Sequence, residues 1–569
     1  MMDLIIKDIQ VFNVYSKKFI KSSVVIKDGR FLYTTLKDLK DISAESVIEG
    51  EGRFLIPSLI DIHLHIESSM VTPEAFSHEL IRNGVTTVVA EPHEIANVFG
   101  ISGIKEMIKR DENCIADIFY GIPSSVPSTE LETSGAEIGI DEFEELIKNP
   151  KVICLGEVMN YVEVIKNPES KINKFLSYIK KNYPKLIIEG HCPRITGEDL
   201  YKFIFNGVDS DHTQHTPETM EDRFLNGMFV EVQEKSLTPE NIKFIEENDI
   251  YNNFCFVTDD VMADNFINEG HLNNIIKKAI KLGMKPERAI TFGTLNPALR
   301  MDLKDRGAIA PGKIADFIIL DDVEEFKISS VYKDGKCVYE EGKRYEYTPS
   351  KNGFPDDFYN SIKLSKISEE DLKLKANIQT GKVKCRIINV KNGSTFTEEI
   401  FDYLNVVNGY IDWESSPYSL IGVFERHKGT GNVTLALASG DTIKRGAVAT
   451  TYAHDHHNLL AVGKSKKDIV CAANFVIENQ GGYCACENES ILASVKLNVA
   501  GILSEKSVEE VGFQLSKVKE AMKGLGYNHY NPVMSLSTNS LPVSPELKIT
   551  DKGLVKVKEG KIVNLIVEG

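Results

Sequence analysis

No apolar run in the sequence reaches the length of a membrane span, and the opening residues, MMDLIIKDIQ, contain no signal-peptide core. Basic residues are not in excess: 66 Lys and Arg face 83 Asp and Glu, for a formal net charge of -17. That balance argues against nucleic acid and against an anionic membrane as the main partner. A regular cysteine framework is also missing. The nine cysteines (Cys114, Cys154, Cys192, Cys255, Cys337, Cys385, Cys471, Cys484 and Cys486) are scattered, as in proteins of a reducing compartment. Cys484 and Cys486 form a CxC in a Gly-rich turn, which reads as structural or incidental. The expected setting is the cytoplasm. A chain of 569 residues is expected to contain two or more domains.

What is present is organised around residues 54–70, FLIPSLIDIHLHIESSM. Phe54–Ile56, Leu59, Ile60 and Ile62 read as a buried strand. His63 and His65 lie two apart, so on a strand they point to the same side. Two imidazoles on one face at the end of a buried strand make a poor core and a good half of a metal site. The plainer reading is two core or surface histidines that happen to alternate. The flanking Asp61 and Glu67 favour the metal reading.

Residues 1–53 read as a small β unit, with Asp28-Gly29 as a hairpin turn. A similar pattern, again with a KDG turn, returns within 315–342. One composite β domain built from 1–53 and 301–348 is the economical reading, with residues 54–300 inserted. That insert alternates strands and helices. Strands are expected at 86–92, 114–123, 151–158, 186–192, 207–213, 228–234 and 254–260, after the opening one. Helices are expected between most of them, one capped by Thr238 with Pro239 just inside. Eight strands so separated predict a (β/α)8 TIM barrel. Residues 343–375 read as a connector, and 376–569 as a further α/β domain with a helix at about 488–501 and another in EEVGFQLSKVKEAMKG.

In such a barrel the chemistry belongs at the C-terminal ends of the strands. There the sequence puts His63 and His65, Glu91 and His93, Glu157, Glu189 and His191, Asp209, Asp211 and His212, and Asp259 and Asp260. Each alone could be a cap or a satisfied polar group. Together on one rim, four of these imidazoles with carboxylates can hold two borderline divalent ions.

PSLIDIHLHIESSM, AEPHEIANVFG, GEVMN, DSDH, FVTDD followed by EGH, and NPA followed by GAIAPGKIADFIILDD resemble the microbial adenine deaminase family of the amidohydrolase superfamily, as does LPVSPELKITDKGLV near the C-terminus. The resemblance covers nearly the whole chain. It implies a barrel, a composite β domain, a binuclear metal centre and hydrolytic loss of ammonia from adenine. Manganese is the metal it favours, with iron or zinc as alternatives. Many relatives bridge the metals with a modified lysine; here Glu157 matches the carboxylate variant of the family. The sequence departs from the family at GHCPRITG, at Thr213 after SDH, at TYAHDHHNLLAVG and at NQGGYCACENE. The departures spare His191 and His212 and bear on the choice of purine.

On that resemblance, His63, His65 and Asp259 are assigned to one metal and His191 and His212 to the other. Glu157 and a hydroxide are expected to bridge them, and Asp259 to act as base. Asp259 is preferred to Asp260 because it stands nearer the strand. Glu91, His93 and Asp260 are expected in ring recognition or behind the ligands. His454-Asp455-His456-His457-Asn458 reads as a loop at the mouth of the site, with a surface cluster as the alternative. Arg426 and His427 are expected to reach substrate or to orient that loop. The expected partners are adenine and a second copy of the chain. Action on another purine or cyclic amide, a silent metal-binding scaffold, and a sensor using the HDHH cluster remain open.

Overall fold

The computed structural model describes residues 2–39 and 42–568. The chain passes from one sheet into a barrel at Pro57 and Ser58. Phe54–Pro57 pairs antiparallel with Phe317–Asp322 and parallel with Met2–Asn13, inside an eight-stranded sheet. Leu59–Leu64 then runs parallel to Val85–Ala90 as the first barrel strand. The expected single strand from Phe54 to Ile62 is therefore two, and the barrel begins at Leu59 rather than at residue 54. The physical reason lies in the backbone partners. Proline has no N–H for a ladder, and the Ser58 N–H donates to Asp316 O at 3.1 Å, which keeps the chain on the first sheet to that point.

The same sheet takes Met2–Asn13, Lys18–Lys27, Arg30–Thr35 and Ala44–Glu49 from the start of the chain, and Phe317–Asp322, Lys327–Lys333 and Lys336–Glu340 from beyond the barrel. Its two KDG turns have φ of 52° and 69° at Asp28 and Gly29, and 51° and 74° at Asp334 and Gly335. Positive φ at both central residues is what a tight hairpin needs and what Asp-Gly supplies. The turns lie against each other: a Cβ on Gly29 would stand 3.2 Å from Asp334 O.

Five parallel barrel strands form one arc: Leu59–Leu64, Val85–Ala90, Asp117–Ile122, Val152–Val158 and Ile187–Gly190. Ser210–Asp211, Phe229–Val232 and Phe254–Phe256 form the other. The arcs meet where Asp209 N–H donates to Ile188 O at 3.3 Å, and where Asp259 N–H donates to His63 O at 3.0 Å. The first two strands are buried along their whole length, as parallel strands covered on both faces must be. Helices between strands start where the sequence marks them. Thr238 accepts the Asn241 N–H and Pro239 opens Pro239–Glu247. The architecture is a (β/α)8 barrel with additional β-sheet domains. Among the described residues no helix is long and apolar enough to cross a membrane.

Beyond the barrel a ten-stranded sheet carries the helices Lys466–Glu478 and Val508–Gly524. The helix expected at 488–501 is instead the strand Ser490–Lys496, paired antiparallel with Gly482–Glu487. An alternating stretch that follows a tight turn finds its hydrogen bonds across the hairpin rather than within itself. This sheet domain sits against the C-terminal ends of the barrel strands. Ser504 N–H donates to Met70 O at 2.9 Å, Tyr452 Oη donates to Ser68 Oγ at 3.2 Å, and Thr550 Oγ1 donates to Leu131 O at 2.6 Å.

One buried cation in this region gives a stability prediction. Lys548 is fully buried, its Nζ donates to Thr395 O at 2.8 Å, and burial lowers its pKa to about 7. In the unfolded chain a lysine titrates near ~10.4. Below pH 7 the folded protein carries the buried charge at full cost. Between 7 and 10 that cost shrinks, and above it disappears. Lys548→Met should therefore raise the melting temperature by a few degrees at pH 6 and by clearly less at pH 9, as followed by circular dichroism. An equal gain at both values would contradict the assignment.

Candidate metal centre

His63 and His65 leave the end of the first barrel strand on one side, their ring centroids 5.3 Å apart. His65 Nδ1 lies 3.0 Å from Glu91 O, so its N–H is used on that carbonyl and Nε2 is left facing inward. Nε2 of His65 is 3.3 Å from Asp259 Oδ1 and 3.3 Å from Glu157 Oε1. His63 Nε2 is 3.7 Å from the same Asp259 oxygen. The ring of His63 stacks on that of His212, with centroids 3.8 Å apart.

Glu157 ends the fourth strand between two sets of imidazoles. Oε1 faces His65, whereas Oε2 lies 2.8 Å from His191 Nδ1 and 3.2 Å from His212 Nε2. Those two ring nitrogens are themselves 3.0 Å apart. Glu157 N–H donates to Glu91 Oε2 at 2.7 Å, and Ser124 Oγ donates to Glu157 O at 2.6 Å. Gly156 makes the first contact possible, because a Cβ there would stand 2.4 Å from the Glu91 carboxyl carbon. Burial pushes the Glu157 carboxyl up, but His191 and His212 outweigh it and hold its pKa well below the ordinary value. His63 Nε2 and Glu157 Oε2 are buried without a hydrogen-bond partner. Convergent, unpartnered nitrogen and oxygen donors of this kind suit a divalent cation. His63, His65 and Asp259 form one potential ligand group, and His63, Glu157 and His212 another.

Asp259 and Asp260 separate in space. Asp259 closes the barrel against the first strand with φ of 62°, a left-handed conformation uncommon for a residue with a Cβ. Its Oδ1 faces His63 and His65, and its Oδ2 accepts Gln233 Nε2–H at 2.6 Å. Burial raises its pKa, but hydrogen bonds with His63 and His65 bring it well below the usual value. Asp260 is exposed and accepts from Ser68 Oγ.

The second strand supplies a bridge to the C-terminal domain. His93 Nδ1 lies 3.7 Å from both Glu91 Oε1 and Glu157 Oε1. His93 and Glu94 begin the helix His93–Arg110. Glu94 Oε2 pairs with His457 Nε2, and Glu94 Oε1 lies 2.9 Å from His454 Nε2. The 454–458 loop is thus wholly buried against the barrel and is not a surface cluster. Arg426 and His427 hold this loop by its backbone and are not among the rings around Glu157. Arg426 Nε–H donates to His457 O and Arg426 NH2 donates to Ala500 O at 2.9 Å, while His427 Nε2 is 2.6 Å from His456 O. A cavity of about 1180 Å³ opens beside the centre at Ser124, Met159 and Asn160, and Lys428 and Lys552 of the C-terminal domain line its far side.

Three of the rim carboxylates serve the scaffold instead. Glu189 and Asp209 pair with Arg300 at 2.8 and 2.6 Å, and Asp211 pairs with Arg223 at 2.6 Å. Two departures from the family pattern belong to the last pair: Cys192 N–H and Thr213 N–H both donate to Asp211 Oδ1, at 3.2 and 3.1 Å. Sequence reasoning missed Glu94 and Gln233. Gln233 follows the seventh strand, and the rule that strand ends carry the chemistry was a signal for it. Glu94 carries no signal in the sequence beyond that of an acid in a helix's first turn.

Residues 54–338 match the amidohydrolase family, and residues 394–561 match the adenine deaminase C-terminal domain. The chain is 52% identical over 566 residues to adenine deaminase 2 of Shouchella clausii, covering 99% of each chain. It is 50% identical over 573 residues to the adenine deaminase of Clostridium perfringens, covering 100% of this chain and 99% of that one. To adenine deaminase 2 of Oenococcus oeni it is 43% identical over 569 residues, with 100% and 99% covered.

Proposed function

Because the chain belongs to the adenine deaminase family of the amidohydrolase superfamily, we propose that it hydrolyses adenine to hypoxanthine and ammonia. The observation that carries the hydrolytic chemistry is the division of Glu157, with one oxygen toward His65 and the other toward His191 and His212. His63, His65 and Asp259 would hold one divalent ion, His191 and His212 a second, and Glu157 would be shared. Imidazole and carboxylate donors suit Mn²⁺, and they also accommodate Fe²⁺ or Zn²⁺. When bound, such ions make a water acidic enough to supply hydroxide near pH 7.

The residues then have separate tasks. Asp259 takes the proton of the attacking water on the carboxylate that Gln233 orients, and returns a proton to the departing amine. Water adds its oxygen to C6 and the C6–N bond breaks; of the water's two protons, one leaves with the amine as ammonia and the other ends on N1 of the product. Glu91 fixes the backbone of Glu157 and, through its carbonyl, the ring of His65. The C-terminal domain closes the strand ends and keeps bulk water from the flat ring.

Ammonia release should be measured with adenine, guanine, cytosine, adenosine and a dihydropyrimidine on metal-reconstituted protein. Adenine is expected to exceed each of the others in kcat/KM by at least ~100-fold. Faster turnover of any other member of the panel would move the substrate assignment while leaving the ligands in place.

A further inference from the structure

A second group of donors lies behind His93, between the barrel and the C-terminal domain. His93, Glu94 and Asp455 each offer one donor atom, and the three atoms lie within 4.8 Å of one another. Glu94 Oε1 is 3.3 Å from His93 Nε2 and 2.9 Å from His454 Nε2, and Asp455 Oδ1 is 3.9 Å from His93 Nε2. All four side chains are more than nine-tenths buried. Yet Glu94 Oε1, His93 Nε2, His454 Nε2 and both oxygens of Asp455 have no hydrogen-bond partner. The 2.9 and 3.3 Å contacts are close enough for hydrogen bonds but not directed as hydrogen bonds are.

The outer atoms of the same residues are occupied. Glu94 Oε2 takes His457 Nε2, and His454 Nδ1 lies 2.6 Å from Ser537 Oγ. His454 and Glu94 are thereby turned so that one free donor of each points inward. This is how partners behind a metal site orient its ligands. A buried carboxylate with no partner on either oxygen, Asp455, beside one with a free oxygen, Glu94, is unfavourable unless a cation or a proton stands between them.

We propose that His93, Glu94, His454 and Asp455 bind a third divalent cation, which fastens the C-terminal domain to the barrel. Two imidazoles and two carboxylates select a borderline ion such as Mn²⁺, Fe²⁺ or Zn²⁺ over the hard ions Mg²⁺ and Ca²⁺. Donors bound at about 2.1 Å in tetrahedral or octahedral geometry lie about 3.0–3.4 Å apart. The two contacts to Glu94 fall at this spacing, and the 3.9 Å from Asp455 Oδ1 to His93 Nε2 is roughly half an ångström longer. The site draws on both domains, so neither the barrel nor the C-terminal domain holds it alone.

Full-length protein stripped of metal and titrated with Mn²⁺ in equilibrium dialysis gives the number of ions per chain. The wild type is expected to hold three. Asp455→Ala and Asp455→Asn are each expected to hold one fewer with an unchanged circular dichroism spectrum. His63→Ala should lose an ion from the paired centre while keeping the one at Asp455. A wild-type count of two that Asp455→Ala and Asp455→Asn leave at two would overturn the third site and spare the pair. A full count in His63→Ala, with one ion lost in Asp455→Asn, would overturn the pair and spare the third site. If Asp455→Asn keeps every ion but no longer binds adenine, the carboxylate serves the ligand, and the cation assignment is wrong.

Discussion

Glu157→Gln is expected to lower adenine turnover on the order of a thousandfold or more, about 4 kcal/mol of barrier, and to release metal from the protein. The expectation follows from the way the carboxylate is shared. One oxygen meets His65 and the other meets His191 and His212, so the side chain stands between the two sets of rings. A neutral amide offers one acceptor oxygen and an NH₂ group that repels a cation. Its backbone contacts to Glu91 and Ser124 involve main-chain atoms and survive the change, so the fourth strand should keep its place. Loss of metal and activity with an unaltered melting profile would assign the effect to the side chain. Full metal content with full turnover would show that Glu157 is not shared.

Asp259→Asn is expected to reduce kcat by about 10²–10⁴-fold, the range of a positioned proton carrier, while the KM for adenine changes far less. Asp260→Asn should stay within a fewfold of wild type in both constants. The distinction is spatial. Oδ1 of Asp259 faces two rings and Oδ2 takes the Gln233 amide, whereas Asp260 is exposed and joined to Ser68. Steady-state kinetics on both variants, with metal content measured on the same samples, decides the point. A mild Asp259→Asn beside a crippled Asp260→Asn would reverse the assignment.

The elements that the sequence revealed are those whose reasons are local. The HxH spacing works on any strand, because alternate side chains share a face. Thr238-Pro239 and the two Asp-Gly turns carry their conformational preference within two residues, and they formed where expected. Glu157, His191 and His212 followed from strand order, since a barrel gathers its strand ends at one rim. The errors arose where a distant partner decides. Phe54–Pro57 is apolar and extended in either sheet, and only Met2–Asn13 and Phe317–Asp322 determine which one receives it. Ser490–Lys496 took its partner across a hairpin from Gly482–Glu487. Glu189 and Asp209 stand at the same rim, yet Arg300 neutralises them from 111 and 91 residues along the chain, while Asp211 is held by Arg223 of the helix that follows it. Glu94 meets His457 363 residues away, a distance over which no local pattern can speak. Arg426 reads as a substrate-seeking cation and is spent on three carbonyl groups under the loop, those of His457, Ala500 and Ser361.

The most direct test of the account is to measure ammonia and hypoxanthine together, with adenine as substrate, on the same protein before and after metal is removed and restored. The account predicts the two products in equal amounts from the reconstituted protein, their loss after chelation, and their return when Mn²⁺ is added back. Undiminished product from the metal-free protein, or none from the reconstituted one, would contradict it.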